Sequence, residues 1–239
     1  MMKMFDDYDK PAVAVDLVLM TMVDARLNVL IQRRNAEPFA GQWALPGGFV
    51  QINESLDDAA HRILKEKARL KNVWIEQLYT FGALERDPRG RVISVTYFAL
   101  APTSAFAIAK ADKDDLYIAP IEIAWSDETG GPASVVYEGK PAALAFDHER
   151  ILGMTIKRLR GKLHYTKIAF SLLPTKFTLR DLQIVHEAIS GSPLNKPAFR
   201  RRMLDTGWLN ATGERETASA FRPAELYQLN DKSTSNKGE

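Results

Sequence analysis

The stretch from Gly48 to Leu70 constrains this chain more than any other. It passes from a glycine turn, through Glu54, into one amphipathic helix that ends among cations. Leu56, Ala59, Ala60, Ile63, Leu64 and Leu70 recur at three- and four-residue intervals, so residues 54–70 predict a helix with one buried face. Asn53 is the expected N-cap, and Asp57 and Asp58 suit the positive end of the helix dipole. Upstream, Trp43-Ala-Leu-Pro-Gly-Gly48 reads as a strand stopping in a tight turn, where backbone amides can face an anion.

The helix is embedded in strands. Residues 12–22 and 27–32 are β-rich and flank a turn at 24–26, which predicts a hairpin. Residues 73–81, 92–100 and 121–125 read as further strands. From Asp147 the texture turns helical: an amphipathic segment at 148–159, a short helix at 168–173, and residues 178–189 with Thr178 as N-cap and Gly191 as stop. Pro197 then opens a helix reaching towards Gly207, and residues 208–229 read as two strands around a polar loop. The fold class is α+β. The expected division is a head domain at 1–146, a connector helix at 147–163, a second domain at 164–230 and a disordered tail at 231–239.

Charge sharpens that division. Residues 1–146 carry 16 Lys/Arg and 20 Asp/Glu, a net −4, whereas residues 147–239 carry 16 and 10, a net +6. A basic tail on an acidic head points to a polyanion partner for the tail alone. Cysteine is absent, which excludes disulfides, thiolate metal sites and a cysteine nucleophile and fits a reducing cytoplasm. The first ten residues lack the apolar core of a signal peptide, and the apolar run at 12–23 is broken by Asp16 and Thr21 and too short for a bilayer, so no membrane role is expected.

The segment 48–70 resembles a Nudix box whose metal-binding end has changed. Gly48, Glu54 and Arg62 match its front half, and the back half then normally runs Glu-apolar-x-Glu-Glu-x-Gly-apolar. Here Ile63, Lys67 and Arg69 replace the first Glu, the last Glu and the Gly, leaving Glu54 and Glu66. In a working site such carboxylates hold a divalent metal against a diphosphate. An ammonium about 4 Å from a cation is repelled by about 4 kcal/mol at an effective dielectric near 20, more for a divalent ion. Lys67 can instead pair with phosphate directly. Arg33 and Arg34, Gly47 and Gly48, and Arg86 and Arg89 in the charged turn at 81–90 are further candidates for gripping a diphosphate. Trp43, Phe81 and Tyr97 are candidates to stack on a base or frame a ribose, with Phe81 and Tyr97 more readily explained as core.

The tail has the order helix, turn, helix, β-loop of a winged helix-turn-helix. In Asn195-Lys-Pro-Ala-Phe-Arg-Arg-Arg-Met-Leu204, Phe199 and Met203 share one face, while Arg201 lies roughly opposite and Lys196 and Arg200 share an edge. Such a helix suits the major groove of double-stranded DNA, where arginine reads guanine bidentately. The candidates are Lys196, Arg200, Arg201 and Arg202 on the helix, Lys176, Thr178 and Asn195 for phosphates, and Arg215 and Arg222 on the wing. His61, His148, His164 and His186 show no metal-ligand spacing and read as structural, and neither a serine elbow nor a Walker loop is present.

Phe177–Gln183, Phe199–Leu204 and Arg222–Tyr227, behind an altered Nudix box, resemble the Nudix-related transcriptional regulators of bacterial NAD metabolism, the NrtR family. The resemblance covers about residues 8–229. It implies a Nudix α/β/α sandwich head with a C-terminal winged helix, working as a homodimer on a palindromic operator. It further implies ADP-ribose as effector, with no required cofactor, and control of NAD synthesis and salvage genes. The main competing reading is an active ADP-ribose or nucleotide-sugar pyrophosphatase using a non-standard carboxylate set; a third is a protein-binding scaffold.

Overall fold

The computed structural model describes residues 8–71, 73–106, 115–126, 129–217 and 223–230. Its centre is β1 (Ala12–Val23), which pairs in parallel along nearly its whole length with β6 (Val92–Leu100). On its other edge β1 is shared. Its first half meets β4 (Gly47–Phe49), and its second half meets β2 (Arg26–Arg33) through the expected hairpin. β3 (Trp43–Ala44) pairs with β2, β5 (Glu76–Phe81) closes one edge beside β6, and β7 (Leu116–Ile123), β8 (Ala133–Tyr137) and β9 (Lys140–Ala142) continue the sheet beyond β2.

The two faces of β1 feed two cores. Val15, Leu17 and Leu19 point to α1 (Leu56–Glu66) and pack with Ala59, Ile63 and Leu64. Val18 and Met20 point the other way, to α2 (His148–Lys162), and pack with Ile151, Leu152, Ile156 and Leu159. Alternation along the strand therefore builds helix, sheet and helix layers in an α+β fold. At mid-helix, Gly153 lets α2 lie directly on the chain leading into β8: a Cβ there would stand 1.8 Å from the Gly131 carbonyl oxygen.

The second core runs on without a break into the tail. A 3-10 turn at Ile168–Leu172 precedes α3 (Leu179–Ser190), α4 (Lys196–Asp205) and a two-stranded wing of β10 (Leu209–Arg215) and β11 (Glu225–Leu229). Leu179, Leu182, Val185 and Ile189 of α3 bury against Phe199, Met203 and Tyr227. Thr178 caps α3 in a reciprocal capping box with Asp181, and Gly191 ends it in the left-handed conformation.

Several expectations shift. Ser55, not Asn53, caps α1, because its hydroxyl accepts the Asp58 amide 3.1 Å away and Asp58 closes a capping box. α1 ends at Glu66 rather than Leu70, since Arg69 is left-handed at φ 58°, a conformation that glycine adopts without strain. The strand expected at 73–81 begins only at Glu76, the one at 121–125 is the end of β7, and the short helix at 168–173 is a 3-10 turn. The tail at 231–239 lies outside the described residues. No helix among the described residues is long and apolar enough to cross a membrane.

His186 sits in the tail core, its ring 5.1 Å from Phe199. Burial, then the charges of Arg202 and His164, push its pKa down to about 4 from an ordinary 6.5. The unfolded chain thus binds this proton more tightly. Its contribution is complete above pH 6.5 and is lost as pH falls towards 4, about 1.4 kcal/mol per pH unit. Urea unfolding at pH 7.5 and pH 4.5 should show a steeper acid loss in the wild-type protein than in His186→Gln, and equal losses would refute this assignment.

Candidate functional site

β4 runs so close to β1 that Gly47 is obligatory: a Cβ there would stand 2.2 Å from Asp16 Oδ1. Beside this junction opens a cavity of about 310 Å³. Its wall brings together Arg33, Arg34, Lys67, Arg86 and Arg89, with Asp16 and Asp87 as the acidic members. Five cations against two carboxylates make a receptor for an anion, and the volume suits a small ligand. A larger groove of about 720 Å³ lies at the edge of β5 near the tail, but its cations are Lys162, held by Glu76, and Lys167, which donates to the Asn230 carbonyl. Its chemistry offers far less to an anion.

Each cation has a defined setting. Arg34 donates to the Pro38 and Ala36 carbonyls at 2.8 and 3.2 Å and stacks 4.7 Å over Phe146. Burial and then the neighbouring Arg89 lower its pKa. Arg89 grips Asp87 with two bonds of 2.9 and 2.7 Å and lies over both Phe49 and Phe146. Arg33 donates to the Gly41 carbonyl at 3.1 Å. Lys67 caps the end of α1, its ammonium donating to the Gly47 carbonyl, and burial followed by Arg34 pushes its pKa down. An anion placed among these groups would offset that repulsion.

Behind the cavity wall lies a buried polar network. Arg86 reaches Asp147 through Nη2 and Nε at 2.8 and 3.2 Å and Asp16 at 3.4 Å. Asp16 also accepts from the Ser94 hydroxyl at 2.6 Å. His148 Nδ1 accepts the Leu45 amide at 2.9 Å, so the proton resides on Nε2, which lies 3.7 Å from Asp16. Burial lowers the His148 pKa and holds the ring neutral.

The altered box has a definite geometry. Ile63 is fully buried, and its side chain lies under Gly48 together with the Lys67 ammonium. Glu54 is bound by Arg62 at 2.9 and 2.6 Å and accepts the Gln51 amide, which draws its pKa down to about 2. Glu66 is 60% exposed and pairs with Arg62 at 3.6 Å. Magnesium requires hard oxygens in near-octahedral array. One carboxylate tied up by arginine, one turned to solvent, and an ammonium with a buried isoleucine between do not fit it. Among the described residues no group of three or more His, Cys, Asp or Glu is arranged to hold a metal.

Of the expected ligand residues, Arg33, Arg34, Gly47, Gly48, Lys67, Arg86 and Arg89 line the cavity. Trp43, Glu66, Tyr97 and Phe81 do not, and Phe81 is a core residue. Trp43 is buried beside Tyr137 and Tyr117 at 5.0 and 6.1 Å. Tyr97 shares the α1 face of β6 with Val95 and Ala99, and its hydroxyl donates to Asp57 at 2.7 Å. Burial and that bond lift its pKa to about 12. Sequence reasoning missed Phe49, Phe146, Asp16, Asp87 and the lining role of His148. A lone aspartate inside the apolar run of β1 was the available signal for Asp16.

The second site is the tail's cationic face. A groove of about 610 Å³ between α3, α4 and the wing gathers Lys196, Arg200 and Arg215, and also Arg180, which sequence reasoning passed over. Arg201 and Arg202 line the opposite side of α4, where Arg202 also stacks on Phe199 at 5.5 Å. Glu216 and Glu225 bound the groove near the wing. Asn195 caps α4 by accepting the Ala198 amide at 3.0 Å. Two expected contacts are otherwise occupied: Thr178 is buried with its hydroxyl in the capping box, and Lys176 pairs with Glu214 at 2.6 Å. The Lys176 pair is exposed, so it is weak. Arg215 donates to the Pro223 carbonyl at 3.0 Å, and Arg222 lies outside the described residues.

Comparison with known proteins matches this geometry. A family model described as the NrtR DNA-binding winged helix domain matches residues 169–229, and the NUDIX domain model matches residues 10–131. The "ADPR responsive transcriptional repressor NtrR" of Acinetobacter baylyi is 35% identical over 225 residues, covering 93% of this chain and 84% of that protein. The crystal structure of Shewanella oneidensis NrtR superposes with a TM-score of 0.76 at 36% identity, covering 93% of this chain and 96% of that one. The same protein in complex with a 27mer DNA gives 0.74 at 36% identity, with 91% and 93% covered. With a Nudix head, a winged-helix tail and this extent of identity, the chain belongs to the NrtR family.

Proposed function

We propose that this chain is a transcriptional repressor that binds operator DNA through its tail and leaves it when ADP-ribose enters the head cavity. The observation that carries the reading is Lys67: its ammonium, bonded to the Gly47 carbonyl, fills the edge where a hydrolase would array carboxylates around a metal. The cavity keeps the cations that grip a diphosphate, and its described residues lack the ligands that would help cut it. The Acinetobacter relative is named as ADPR-responsive, and the Shewanella relative was crystallised with DNA, which supports both halves of the reading.

Residues 1–146 sense, 147–163 connect and 164–230 bind DNA. One winged helix reads a short site weakly, so a homodimer on a palindrome is the natural working unit. The effector is ADP-ribose, no cofactor is required, and the regulated genes serve NAD synthesis and salvage in the cytoplasm. The retained Glu54 and Glu66 favour a second reading, a residual pyrophosphatase. Incubation with ADP-ribose and magnesium or manganese separates the two: the repressor reading expects no useful turnover, and brisk cation-dependent cleavage would refute it.

The DNA face makes its own prediction. Arg201→Ala should weaken operator binding by about 1–3 kcal/mol and relax base preference at one position. Lys196→Ala should weaken all duplexes alike and reduce the slope of log affinity against log salt by about 1. Fluorescence anisotropy across a salt series reads both, and unchanged binding in both variants would remove α4 from the interface.

A further inference from the structure

The connector helix begins at the cavity and ends at the DNA-binding tail. Asp147 is the N-cap of α2, yet its side chain makes no capping bond. Its carboxylate instead takes the Arg86 fork at 2.8 and 3.2 Å. Arg86 lines the cavity; Asp147 does not. At the far end of α2, Arg160 donates to the Ile189 carbonyl in the last turn of α3 at 3.1 Å and stacks 4.5 Å over Trp125, just beyond β7. Between them Gly153 rests against the Gly131 carbonyl. A helix of 15 residues, about 22 Å long, thus joins one guanidinium in the cavity to the first helix of the tail.

Resting on the function proposed above, we propose that the Arg86–Asp147 ion pair is the coupling element, and that Asp147 is a positioning residue through which an anion in the cavity acts on the tail. Arg86 is shared between two carboxylates, and its longer contact to Asp16 is already 3.4 Å. A diphosphate entering among Arg34, Lys67 and Arg89 is a third and more highly charged claimant on the same guanidinium. As Arg86 turns to it, Asp147 loses its partner and the start of α2 is released from its tie to Arg86. The ligand therefore has different contacts in the two arrangements, which is the thermodynamic requirement for it to shift one into the other.

The test is operator affinity with and without saturating ADP-ribose, measured on the full chain for wild type, Asp147→Asn and Asp147→Ser. Serine is a strong N-cap, so the second variant keeps a start for α2 should the first fail to fold. In wild type the ligand should weaken DNA binding by a factor on the order of 5–150. In both variants that factor should fall to near 1, while ADP-ribose affinity by calorimetry is retained or tightened, because a competitor for Arg86 is gone. Variants that bind ADP-ribose and still release DNA as wild type does would overturn the inference. A wild-type protein that ignores ADP-ribose would instead overturn the function on which it rests.

Discussion

Replacing Arg86 with alanine should destabilise the protein by about 3–5 kcal/mol, the cost of leaving buried charge without its partner. The Arg86 side chain is 4% exposed, and its removal strands Asp16 at 9% and Asp147 at 16%. Among the described residues neither carboxylate has another cation within ion-pair distance, since His148 is held neutral. For a chain of this size the loss corresponds to roughly 6–20 °C in melting temperature. Adding Asp147→Asn to Arg86→Ala should recover part of it, because one stranded charge becomes a neutral amide. Urea unfolding of the two variants checks this, and an Arg86→Ala protein as stable as wild type would show that the network contributes little.

Gly153→Ala should be nearly as damaging. The added methyl would meet the Gly131 carbonyl oxygen at 1.8 Å, its carbon at 2.9 Å and the Ala133 amide at 3.1 Å, all backbone atoms. None can swing away as the end of a flexible side chain would. Overpacking of this kind costs about 1–3 kcal/mol and occasionally more; the depth of the overlap puts this site at or above the top of that range. At Gly161, in the same helix, an added Cβ would meet nothing within 4 Å, so Gly161→Ala is the control and should be neutral or slightly stabilising. Equal melting temperatures for the two variants would mean that α2 does not lie on the β8 approach as described.

Much of this was legible in the sequence, for identifiable reasons. α1, α3 and α4 announce themselves by apolar spacing, and Thr178, Gly191 and Pro197 mark helix ends with little ambiguity. β8 and β9 were not legible: they are five and three residues long, and β9 contains Pro141, so they carry almost no periodic signal. Four of the cavity's cations were legible because they cluster in sequence at 33–34 and 86–89, and Lys67 because it stands where the box has a glutamate. Its other walls were not, because pairing register assembles them: Gly47 stands opposite Asp16, and His148 meets Leu45 across 103 residues. Tyr97 was recoverable, since period-two alternation puts it with Val95 on the face away from Phe98. Phe49 and Phe146 flank the cavity only because a three-residue strand and a left-handed turn at Phe146 set them there.

Binding of the purified chain to duplex DNA from its own upstream region, titrated with ADP-ribose with and without magnesium or manganese, separates a sensor from a hydrolase in one assay. The repressor reading expects tight, salt-sensitive binding that ADP-ribose weakens in both conditions while itself remaining intact. Indifference to DNA, together with metal-dependent consumption of ADP-ribose, would contradict it.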